Sequence, residues 1–191
     1  MGIWRAVSTA SRPSASRAVA RAMAWASSVA TTRIRSMSTV GGGLVHGDPN
    51  QDPPPALIAL GASAVLSSKG GERVVPVEEL FIDYFETDVQ PGEILTSVVI
   101  PHAPAGSGAV YLKFLPRTAD DYATVSVAAI VDADDSNNCR DVRIVLGASG
   151  VTPIRAKNAE AMLRQRPLTE ENIRASAAAV RARPTVPRRT R

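Results

Sequence analysis

From residue 56 onward, short apolar runs alternate with polar punctuation, mostly Gly, Pro, Asn and Asp. Residues 56–60 form a brief apolar run that Gly61 turns. Residues 62–67 alternate well enough for a strand, and Lys69-Gly70-Gly71-Glu72 supplies a hairpin turn, because paired glycines accept the positive φ it requires. Residues 73–75 return as the partner strand, which Pro76 ends. Residues 77–81 read as one helical turn, with Val77, Leu80 and Phe81 on a common face. After a turn at Gln90-Pro91-Gly92-Glu93, residues 94–100 (ILTSVVI) are β-rich and stop at Pro101. Residues 108–114 (GAVYLKF) predict a strand with Tyr111 and Lys113 on one face and Val110 and Leu112 on the other. Two more strands are predicted over 122–131 and 140–146, joined by a polar turn in which Asn137-Asn138 suits left-handed backbone. A helix is expected over 153–165, opening at Pro153, with Ile154, Ala161 and Leu163 among its apolar positions. Thr169 predicts an N-cap, followed by Glu170 and Glu171 in the turn where acids complement the helix dipole. That last helix runs to about residue 183, before Pro184. A sheet-rich body followed by helices is an α+β pattern.

Composition narrows the function classes. The 191 residues suffice for one domain or two small ones. No apolar stretch approaches the roughly 20 residues of a membrane span. A single cysteine, Cys139, excludes an internal disulfide framework and a cysteine-built metal site; it reads as a small side chain at a strand entry. No metal ligand set and no catalytic side chain stands out.

The net charge of +4 conceals an asymmetry. Residues 1–40 carry six Arg and no acid, residues 41–173 carry ten Lys/Arg against eighteen Asp/Glu, and residues 174–191 carry six Arg and no acid. The body is therefore acidic between two basic tails. No nucleic-acid partner is expected, because the tails lack interleaved aromatics and any recognised binding fold. Residues 1–37 have the Arg/Ser/Ala composition of an organellar transit peptide, with one amphipathic helix over 17–29. GC-rich coding DNA read out of frame gives the same text, and residues 184–191 share that look. The expectation is a disordered or non-native basic tail at each end and a cytoplasmic location, or a mitochondrial one if the first tail is a transit peptide.

One stretch raises a chemical question: TVGGGLVHGDPNQDPP, residues 39–54. Glycines have no Cβ to keep a ligand from the backbone, and successive N–H groups can point at an anion. The run is neither a P-loop nor a dinucleotide fingerprint, since no Gly-Lys-Ser/Thr follows and the third glycine of GxGxxG is missing. On these grounds it is equally a flexible linker or a ligand turn.

The residues around it carry a resemblance. IRSMSTVGGGLVHGDPNQDPPPALIAL (34–60) closely resembles the second flavin-binding segment of the FAD-carrying medium subunit of molybdenum hydroxylases, the carbon monoxide dehydrogenase and xanthine dehydrogenase relatives. The likeness continues through VVPVEELFIDYFETDVQPGEILTSVVIP (74–101), YLKFLPRTADDYATVSVAAIV (111–131) and RDVRIVLGASGVTPIRAKNAEAMLRQRPLTEENI (140–173), and covers about residues 34–178.

The resemblance implies the C-terminal part of a vanillyl-alcohol-oxidase-like (PCMH-type) FAD-binding domain over 38–100. A small sheet-plus-helices flavoprotein C-terminal domain follows over 101–183. It implies FAD as cofactor, with Thr39, Val40, Gly41, Gly42 and Gly43 along the pyrophosphate and Asp52 accepting hydrogen bonds from the flavin's polar chain. Leu95 falls near the cofactor, Lys113 at a basic position by the ring, and Tyr122 at a position close to the ring. It also implies a molybdenum-pterin large subunit and an iron–sulfur small subunit as partners, between which and an external acceptor FAD relays electrons. Two departures stand out. Gly43 replaces the family's usual Asn, and a first glycine turn resembling AGGQSL is not seen upstream. These suggest a truncated flavoprotein, with a non-catalytic remnant that binds no FAD as the alternative.

Overall fold

The computed structural model describes residues 32–104, 107–115 and 122–181. The helix expected over 17–29, most of the first tail, the second tail and the end of the last helix lie outside the described residues.

Three short helices come first: α1 (Thr32–Met37), α2 (Val40–His46) and α3 (Pro53–Ala59). The glycine run is thus helical, where a turn or linker was expected. The local chemistry explains the difference. Thr39 is extended (φ −118°, ψ 153°), and its hydroxyl accepts the Gly42 N–H at 3.0 Å, so it caps the helix despite the poor propensity of three glycines. Gly47 closes α2 in the left-handed region (φ 70°), its N–H bonded to the Leu44 carbonyl. The apolar run at 56–60 belongs to α3, whose opening prolines carry a φ already suited to a first helical turn.

The chain then forms β1 (Ser63–Ser68) and β2 (Gly71–Pro76), a short α4 (Val77–Leu80), the small hairpin β3 (Phe81–Asp83) and β4 (Glu86–Thr87), and β5 (Ile94–Val99). β1 lies between β2 and β5, antiparallel to both. The β3–β4 hairpin had no sequence forecast; its strands are three and two residues long. α4 has Val77 and Leu80 fully buried with Phe81 packed beside them, the common face read from the sequence.

A second sheet follows in the order β6–β7–β8–β9: Gly108–Phe114, Val125–Ala133, Cys139–Gly147 and Ile154–Arg155. The expected helix over 153–165 is shorter: Ile154 and Arg155 pair with β8, and α5 runs Lys157–Leu163. α6 (Glu170–Arg181) starts after Thr169, whose hydroxyl accepts the Asn172 N–H at 3.3 Å. Asn137 takes φ 61° in the turn between β7 and β8. The chain is α+β, as its pattern predicts.

One core joins the two sheets. Leu44 of α2 and Leu57 and Ile58 of α3 meet Ala64 and Leu66 of the first sheet and Ala128 and Val145 of the second. α3 approaches the second sheet closely: a Cβ on Gly147 would stand 2.9 Å from Pro55 Cγ and against the Ser126 hydroxyl. A second cluster of Cys139, Val142 and Leu163 seats α5 on β8. The Pro49 carbonyl accepts the Ala148 N–H at 3.3 Å, which fixes the loop before α3 to the end of β8.

The first sheet also carries an acid-sensitive contact. Arg73 donates to Glu93 through Nε (2.7 Å) and Nη2 (2.8 Å) and to Asp88 at 2.6 Å. The Arg73 bonds first, and then the Gln90 backbone N–H that Glu93 Oε2 accepts at 2.8 Å, hold the Glu93 carboxyl down to about 2 from an ordinary 4.5. A carboxyl depressed by folding stabilises the native state above its unfolded pKa and loses that contribution as pH falls. The stability gap between the chain and Glu93→Gln is therefore expected to be constant above about pH 5 and to shrink between about 4.5 and 2. Urea midpoints measured across that range check it; a gap that widens on acidification contradicts it.

Candidate functional site

The residues singled out by the sequence fall in two neighbouring groups. In the first, the first-turn amides of α2 have no intrahelical acceptors. Thr39 takes the Gly42 N–H, and the Val40 and Gly41 N–H groups remain at the partly exposed start of the helix. Gly41 lies directly on β5: a Cβ there would meet the Leu95 side chain and carbonyl at 3.4 Å. Leu95 is thereby brought to the glycine segment. A Cβ on Gly43 would stand 3.1 Å from Gln51 Oε1, and the Gly43 carbonyl accepts the Gln51 side-chain N–H at 2.8 Å. Gln51 in this way ties the glycines to the loop that carries the acids.

The second group centres on Asp52, only 5% exposed. Its Oδ1 accepts the Tyr111 hydroxyl at 2.6 Å and its Oδ2 the Lys113 ammonium at 2.9 Å. Strand alternation puts both donors on the inner face of β6, while Val110, Leu112 and Phe114 point outward and are exposed. Burial and then the bond to the Asp52 carboxylate push the Tyr111 phenol well above its usual range. Lys113, expected by the ring, is a buried partner of Asp52.

Tyr122 stands apart from this pair. It is 66% exposed and lies beside Asp48, four residues before Asp52. Burial, then the charge of Asp48 and a hydrogen bond to it, raise the Tyr122 phenol. Asp48 itself is buried and accepts the Asn50 N–H at 2.9 Å. His46 stacks edge-on against Phe85, with ring centroids 5.0 Å apart.

Sequence reasoning did not select Tyr111, Gln51 or Asp48. A signal for Tyr111 was available: its position two residues from Lys113 on the same strand face. Gln51 and Asp48 carried no such signal, because a loop has no periodicity from which to read direction. Among the described residues no group of three or more His, Cys, Asp or Glu could hold a metal ion, and no helix is long and apolar enough to cross a membrane.

Comparison with known proteins shows the family. Residues 5–103 match the family model described as the FAD binding domain in molybdopterin dehydrogenase, and residues 110–191 match the CO dehydrogenase flavoprotein C-terminal domain. The chain is 37% identical over 170 residues to the 6-hydroxypseudooxynicotine dehydrogenase complex subunit alpha of Paenarthrobacter nicotinovorans, covering 88% of this chain and 56% of that protein. It is 36% identical over 135 residues to the carbon monoxide dehydrogenase medium chain of Afipia carboxidovorans, covering 71% and 46%. The fold superposes on the cyanide-inactivated Cu,Mo-CO dehydrogenase with a TM-score of 0.77 at 32% identity, over 83% of this chain and 55% of that one. The chain thus spans about half the length of the curated relatives it matches. A glycine helix seated on Leu95, followed by an acid loop held by β6, lies within these matched regions, and the chain belongs to the flavoprotein family of the molybdenum hydroxylases.

Proposed function

We propose that the chain acts as the FAD-binding subunit of a molybdenum hydroxylase-type oxidoreductase. It holds FAD and relays electrons from the iron–sulfur clusters of a small subunit to an external acceptor, with a molybdenum-pterin large subunit completing the complex. The observation that carries the reading is the convergence of the glycine helix, Leu95 and Asp52, inside a family match to an FAD-binding domain, with Lys113 of the matched flavoprotein C-terminal domain.

The donor set suits the cofactor. The Val40 and Gly41 amides and the Thr39 hydroxyl are neutral hydrogen-bonding groups of the kind a pyrophosphate takes. A Cβ on Gly41 would sit in contact with Leu95 at 3.4 Å, which places the glycine backbone directly against β5. Asp52 has acceptor capacity left after Tyr111 and Lys113, since two oxygens offer about four lone-pair sites. It would accept from sugar-like hydroxyls. Lys113 would place a positive charge beside the ring, favouring the reduced, anionic form. Tyr122, exposed at the rim, would lie against the ring. FAD, when bound, supplies the redox chemistry itself.

Adding FAD to the purified chain tests the reading. Flavin fluorescence is expected to fall and saturate, and a bound-flavin absorbance band is expected to remain with the protein after gel filtration. Free FAD that separates completely from the chain at every concentration tried would instead support a remnant that binds no flavin on its own.

A further inference from the structure

We infer that Tyr111 is the positioning residue of this flavin site: it fixes the Asp52 carboxylate from the C-terminal sheet. The FAD reading above is its premise. Asp52 sits in a loop between two short helices, and neither of its oxygens caps α3. Both are held from across the molecule, Oδ1 by Tyr111 at 2.6 Å and Oδ2 by Lys113 at 2.9 Å, from partners 59 and 61 residues away in sequence. The two donors differ in kind. Lys113 is a point charge on a flexible stem and sets no single direction. The Tyr111 ring is rigid and half-buried, with its hydroxyl facing both Asp52 and the buried Ser126 of β7. Ser126 is in turn backed by Gly147, where a Cβ would clash with its hydroxyl. The chain of contacts Gly147, Ser126, Tyr111, Asp52 therefore transmits the seating of the second sheet to the acid loop. Lys113 supplies charge to the site; Tyr111 supplies direction.

The variant Tyr111→Phe separates these roles, because it keeps the ring and the charge and deletes one donor. A hydrogen bond to a charged acceptor suggests that the FAD dissociation constant rises about tenfold. Visible circular dichroism of the bound flavin is expected to change as well, which reports how the flavin is held. In an Asp52→Asn background the same Tyr111→Phe change is expected to alter FAD affinity by less than about twofold, since the group it orients is gone. Equal losses in the two backgrounds would show a merely structural role and overturn the inference. So would unchanged affinity and dichroism in Tyr111→Phe while the parent chain binds FAD. If the parent chain binds no FAD, the FAD reading and this inference fall together; the parent titration thus distinguishes the two failures.

Discussion

Glu160→Ala is expected to destabilise the fold by about 3–5 kcal/mol, the usual cost of breaking a buried ionic network by removing one member. Glu160 is fully buried in α5. Its Oε1 accepts the Ile144 N–H and Arg155 Nε, both at 2.9 Å. Its Oε2 accepts Arg155 Nη2 at 3.0 Å and Arg164 Nη2 at 3.3 Å. Alanine would strand a backbone donor of β8 and leave Arg155, 21% exposed, with only Glu78 at 3.1 Å. A domain of this size commonly has about 5–15 kcal/mol in total, so the variant should unfold at much lower urea. Glu160→Gln, which keeps the shape and an acceptor for the Ile144 amide, should recover part of the loss. A Glu160→Ala midpoint close to the parent's would show that the network is not formed in solution.

Lys113→Met is the second large effect expected, a loss of about 3 kcal/mol. It leaves the Asp52 carboxylate, 5% exposed, with the neutral Tyr111 hydroxyl as its remaining side-chain donor. The double variant Lys113→Met/Asp52→Asn should regain most of that stability, because no buried charge is left without a counterion. FAD binding should not return with it, since both the carboxylate and the ammonium of the site are gone. Urea denaturation and a flavin titration on the parent, the Lys113→Met and Asp52→Asn single variants and the double variant separate the two effects. A double variant no more stable than Lys113→Met would mean the pair contributes by packing alone.

The strands were the most legible part of the fold. A period of two is visible in GAVYLKF, and its faces are those found in β6. The helical turn at Val77 and the cap at Thr169 were equally legible, because each is decided by residues within one turn. The glycine segment misled, since propensity argues against a helix through Gly41–Gly43. What decides it is the Thr39 cap together with Leu44, fully buried in the core. The helix expected from Pro153 lost its first turn to pairing with β8, a contact no local pattern encodes. In the site, Asp52 and Lys113 could be named from family resemblance. That they bond each other could not, because 61 residues separate them and only the packed sheet brings them together.

The core shared by α3 and both sheets has a consequence for the family's modular description. The two family matches meet between β5 and β6, yet Leu44, Leu57 and Leu66 on one side of that border enclose the same apolar volume as Ala128 and Val145 on the other. Homology draws a seam where folding thermodynamics has none. A recombination event at the seam would have to exchange matched halves of one interior.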